Sequence, residues 1–157
     1  MRFTLINNIQ KDSAMSLILK GFLTFIFVYL AADILVMKSG FGISAESVNI
    51  TLFGDEENYI DPITESSFLE FWHTQIFFIM MILLTLNAIF IRVASSARIL
   101  LTNLLMISSI LSLVSLPLAF YISATFVNIF IATFFIWHGV AAYMIIYSFW
   151  KLNAKSV

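Results

Sequence analysis

Four apolar runs, each long enough to cross a lipid bilayer, leave this chain little choice of fold. "MSLILKGFLTFIFVYLAADILVM" covers about residues 15–37 and "FLEFWHTQIFFIMMILLTLNAIFIRV" about 68–93. "ILLTNLLMISSILSLVSLPLAFYI" covers about 99–122 and "FVNIFIATFFIWHGVAAYMIIYSFWKL" about 126–152. In hydrocarbon no water is at hand for backbone N–H and C=O groups, so each run must satisfy its own as a helix. The expected fold is therefore an all-α, four-helix membrane bundle, with one sizeable loop at about residues 38–67. Composition agrees: 61% of the residues are hydrophobic and 11% charged. A soluble domain carries about a quarter charged residues. The 157 residues allow a single domain.

The charges sort by side. Arg2, Lys11 and Lys20 open the first span, Arg92 and Arg98 flank the link between the second and third, and Lys151 and Lys155 close the chain. The 38–67 loop sets Lys38 against Glu46, Asp55, Glu56, Glu57, Asp61 and Glu65. The positive-inside rule then places both termini in the cytoplasm and the acidic loop outside. A bacterial inner membrane is the expected location. "YLAAD" resembles a signal-cleavage site, but the apolar run continues to Met37 and Leu30 would occupy position −3. The first span reads as an uncleaved anchor.

Within the loop, "SVNITLF" is β-prone and Gly40, Gly42 and Gly54 mark turns, so an ordered cap with a short strand or hairpin is expected. "GDEENYIDP" has the acids of a calcium loop without its spacing and reads as a solvated acidic loop. Asn49-Ile50-Thr51 matches the glycosylation pattern, a signal of meaning only in a secretory pathway.

Several function classes lose their footing in the composition. With no cysteine there is no disulfide, thiolate metal site, iron–sulfur cluster or Cys nucleophile. No phosphate loop, nucleophile elbow or H-E-x-x-H motif occurs. A net charge of −1 gives no reason to expect nucleic acid.

The residues that bear on chemistry are the polar ones inside the spans. The only two histidines both follow a tryptophan: "FWH" ends at His73 and "IWH" at His138. Trp72 suits an interfacial belt, and Glu70 a water boundary at a helix start, where its charge also suits the helix dipole. Glu70 and His73 at i, i+3 match the ligand motif of di-iron bundles, but the motif occurs once and no acid accompanies His138. His138 falls near the bilayer midplane, where an ionisable group is costly and marks a functional-site hypothesis. Gly139, Ala141 and Ala142 beside it would admit a neighbouring helix or flat ligand. The plainer reading is a neutral histidine hydrogen-bonded to the third span, whose Ser108, Ser109, Ser112 and Ser115 form a polar stripe facing its neighbours.

One histidine from each of two helices is also the recipe for a bis-histidine haem b. The residue spacing offsets His73 and His138 by about 9 Å in depth, which tilt absorbs only in part. Asp33 falls at nearly the depth of His73, where it would fix that ring's tautomer; the alternative is that it reaches the interface or pairs with Lys38. His73, Met80 and Asn87 share a face at sevenfold spacing, which suits copper or, more simply, core packing.

In general terms the chain resembles small four-span membrane proteins. The leading expectation is a non-catalytic accessory protein or subunit of a membrane complex, in contact with lipid and with other subunits or a second copy of itself. The alternative is an electron-transfer protein holding haem b through His73 and His138, or a quinone near His138. A small transporter or channel subunit comes third; it would call for more intramembrane charge or broken helices, and Pro117 alone gives a modest kink. Hydrolysis would need Asp33, Glu70 and His73 to converge, and nothing marks a nucleophile beside them.

Overall fold

The computed structural model describes residues 13–94 and 98–154. Arg2, Lys11 and Lys155, used above for orientation, lie outside the described residues. Five helices follow in order: α1 (Ser13–Gly40), α2 (Ala45–Phe53), α3 (Glu65–Val93), α4 (Arg98–Tyr121) and α5 (Phe126–Asn153). All but α2 are long and apolar enough to cross a membrane. Among the described residues there is no strand. α5 packs against every other helix and most extensively against α4, so it forms the centre of the bundle.

The short helix α2 replaces the strand expected at "SVNITLF". Local capping and packing override β propensity here. The Ser47 N–H donates to Ser44 Oγ and the Ser44 N–H donates to Ser47 Oγ, each at 3.1 Å, a reciprocal capping box. Val48 and Leu52, at i and i+4, then bury one face. The Asn49 side-chain oxygen is buried in the same helix, so the glycosylation match falls on packed structure. The expected hairpin shrinks to one antiparallel bridge between Asp55 and Ile60. Both Asp55 carboxylate oxygens turn the chain there, accepting from the Glu57 and Asn58 N–H groups and from the Asn58 side-chain amide. These hydrogen bonds, chiefly those from Asn58, hold the Asp55 carboxyl below its ordinary range.

Gly54 enters this turn at φ 81° and ψ 179°, a region open essentially to glycine alone. A Cβ there would stand 2.7 Å from the Ile60 carbonyl oxygen. Gly54→Ala is expected to cost about 1–3 kcal/mol and to open the bridge. Limited proteolysis across residues 54–62 should show faster cleavage, with the long helices intact.

The core consists of two apolar clusters. One gathers Leu23, Leu30, Leu86, Phe90, Leu105 and Met144; the other gathers Met37, Phe41, Val48, Phe68, Leu116 and Phe130 near α2. The serine stripe of α4 is buried as expected: Ser108, Ser109, Ser112 and Ser115 all face inward. Ser108, Ser109 and Ser115 donate to carbonyls of their own helix, and no hydrogen bond joins them to His138.

Trp72 does something other than line the interface. Pro117 lies inside α4 and has no N–H to give to the carbonyl four residues back, that of Leu113. The Trp72 indole N–H donates to that same carbonyl at 2.8 Å. A group the proline leaves unpaired is thus satisfied from α3.

Candidate functional site

Asp33 and His138 meet where the two apolar clusters join. On α1, Asp33 follows Leu30 of one cluster and precedes Met37 of the other; on α5, His138 lies between Phe134 and Ala141 in the same way. Each residue is 4% exposed. His138 Nε2 stands 3.1 Å from Asp33 Oδ2. This corrects the expected partners of both residues: Asp33 pairs with neither His73 nor Lys38, and His138 does not bond the serine stripe. The difference lies in facing and in depth: α3 turns His73 outward, away from the buried Asp33. α1 continues to Gly40, so Asp33 sits about 10 Å inside its end rather than at the interface. His138 is twelve residues, about 18 Å, from the start of α5. α1 therefore stops lower than α5 begins, and α2 packs against α5 at that end.

The network extends on both sides. The Gln75 side-chain amide donates to Asp33 Oδ1 at 2.8 Å, and the Tyr29 hydroxyl stands 3.5 Å from the same oxygen. His138 Nδ1 is 2.8 Å from the Phe134 carbonyl oxygen. The Phe134 and Trp137 rings flank the imidazole, with centroids at 4.1 and 3.7 Å.

The partners fix most of the hydrogens. A carbonyl only accepts, so Nδ1 carries a proton. Asp33 Oδ2 and Nε2 then share one more proton, carried by either atom. In both arrangements the pair is neutral as a unit, which limits the cost of placing two ionisable groups in mid-membrane. Chemically the pair can hold a proton between two helices. Gln75 and the Phe134 carbonyl fix the orientation of both members.

The remaining candidates lie elsewhere. His73 and Glu70 are exposed on α3, and no hydrogen bond among the described residues joins either side chain to Asp33. His73 and His138 are not brought together. Gly139 is exposed with open space where a Cβ would be, while Ala141 is in the core, so the small residues of α5 do not form one surface. Met80 is exposed and, with Asn87, lines a groove between α3 and α4; the face expected to pack in the core instead borders that groove. Ser112 and Gln75 line a cavity of about 10 Å³. That is room for about one water, far below a haem or substrate.

Gln75 was not visible as a site residue in the sequence, nor was Tyr29. A signal for Gln75 exists: Phe68, Trp72, Gln75, Ile79, Ile82 and Leu86 recur at helical spacing on one side of α3. That phase turns Gln75 inward and leaves His73 outside it.

Fold and site together define a four-span integral membrane protein in which the buried acid–base pair Asp33–His138 ties the first long helix to the last. Residues 42–156 match the Aq_1264_TM family, a transmembrane helical domain, and the chain belongs to that family. The match takes in α2–α5, with Gln75 and His138, and begins after Asp33. No curated protein and no solved structure matches the chain.

Proposed function

We propose that the protein is a non-catalytic accessory protein or subunit of a membrane complex in a bacterial inner membrane, with both termini cytoplasmic. The observation that carries this reading is the closed state of its polar site. His138 and Asp33 spend their hydrogen-bonding atoms on each other and on Gln75, Tyr29 and Phe134. Neither residue lines the larger grooves at α1/α5 or α3/α4. The pair thereby serves as a clamp on the bundle, and the outward apolar faces meet lipid and partners. Orientation rests on charge: Lys20, Arg92, Arg98 and Lys151 lie toward one end, and the acids of residues 46–65 toward the other.

Haem b between His73 and His138 would require His138 to give up Asp33 and His73 to turn inward, and the residues as arranged do not fit that group. A small transporter or channel subunit is the second reading, favoured by polar groups of α1, α3 and α5 meeting near mid-membrane. One experiment separates the readings. The full chain is extracted from its own membranes in mild detergent, and native electrophoresis is run beside oxidised and reduced absorption spectra. The expected result is a particle heavier than the protein in its micelle, and no α-band assignable to this chain. A lone monomer that moves protons in proteoliposomes, and stops doing so as His138→Gln, would replace the accessory reading with the transporter. A reduced α-band lost in both His73→Ala and His138→Ala would replace it with haem.

A further inference from the structure

The groove between α3 and α4 has a volume of about 500 Å³, within the usual range of small-molecule sites. On α3 it runs from Ile76 to Asn87, and on α4 from Leu113 back to Thr102. Eleven residues rise about 17 Å, and half the hydrocarbon core is about 15 Å. The groove is thus as long as one leaflet is deep.

Its two ends differ. Ile76, Ile110 and Leu113 make one end apolar. At the other end lie Asn87 Oδ1 and Thr102 Oγ1, both buried and without a hydrogen-bond partner. Such atoms in lipid are normally satisfied. A threonine hydroxyl can donate, so a ligand with a carbonyl oxygen at that depth suits Thr102. Arg92 follows Asn87 by five residues and Arg98 precedes Thr102 by four, and both are exposed. The two guanidinium groups thus belong to the headgroup zone, about one helical turn beyond the unpaired atoms.

We propose that this groove holds one anionic phospholipid. Its phosphate lies toward Arg92 and Arg98, an ester carbonyl one turn deeper accepts from Thr102, and an acyl chain fills the apolar length. Charge complementarity selects an anionic lipid over a zwitterionic one.

The test is native mass spectrometry of the full chain in detergent, titrated with phosphatidylglycerol or phosphatidylcholine of identical acyl chains. One phosphatidylglycerol is expected to bind about tenfold more tightly than phosphatidylcholine. Arg92→Gln with Arg98→Gln should lower its affinity about tenfold and leave phosphatidylcholine unchanged. Leu84→Trp, at a lipid-exposed groove position, fills the groove while leaving both arginines in place and should abolish the preference, which keeps the test decisive if the double variant does not fold. Equal binding of the two lipids overturns the proposal, as does a preference that survives Leu84→Trp. A dimer that phosphatidylglycerol fails to displace would assign the groove to a second copy.

Discussion

Replacing Asp33 with alanine is expected to destabilise the bundle by about 3–5 kcal/mol, the usual loss when one member of a buried charged pair is removed. An ordinary interhelical hydrogen bond in a membrane is worth less, about 0.6–2 kcal/mol. The larger figure applies because the carboxylate serves two helices at once. Without it, His138 Nε2 on α5 and the Gln75 amide on α3 both lose their partner in mid-membrane. Asp33→Asn should cost clearly less, because one carboxamide can accept from Gln75 and donate an N–H to Nε2. Asp33→Leu combined with His138→Phe should recover part of the loss, since it removes the histidine with the acid and leaves only the Gln75 amide without its partner. Unfolding in mixed micelles by added SDS measures all of these, and the coupling between the two sites should reach about 2 kcal/mol. An Asp33→Ala loss below about 1 kcal/mol would show that the pair does not clamp the bundle.

The long helices were legible in the sequence because the bilayer imposes both their length and their backbone state. Their boundaries moved by at most three residues, and because α1 gains three at its end and α3 three at its start, Asp33 and His73 remain at nearly one depth. Facing separates them: α3 turns His73 outward and Gln75 toward Asp33. The facing of each helix was much harder to see. In water an apolar stripe shows which side packs, but here lipid-facing and core-facing residues are both apolar. Leu84 faces out and Leu83 faces in, and the alphabet does not distinguish them. The Trp-His repeat misled for the same reason. Identical dipeptides on α3 and α5 suggested equivalent sites, whereas α3 turns His73 outward and α5 buries His138. The serine stripe was read correctly because hydroxyls at helical spacing on an otherwise apolar helix do mark a face. α2 failed for a local reason: β-branched residues in "SVNITLF" obscured a capping box set by Ser44 and Ser47.

The second large effect concerns Trp72 and Pro117, two residues 45 positions apart whose only evident link is one carbonyl. Trp72→Phe keeps an aromatic ring in place and removes the indole N–H. The Leu113 carbonyl then has neither the indole nor a helical N–H, and the expected loss is about 1–3 kcal/mol, the cost of an unsatisfied buried group. Pro117→Ala restores a backbone N–H at the position that normally bonds Leu113. In that background Trp72→Phe should cost about 1 kcal/mol or less, leaving only the difference in ring packing. The sign of this coupling distinguishes satisfaction of the carbonyl from packing: if the ring alone mattered, Trp72→Phe would cost the same in both backgrounds. If the indole is the carbonyl's partner, a proline that frees a backbone group on one span and a tryptophan that claims it from another act as a single device. That device joins α3 to α4 on the side of the bundle toward α2, as Asp33 and His138 join α1 to α5 near its centre.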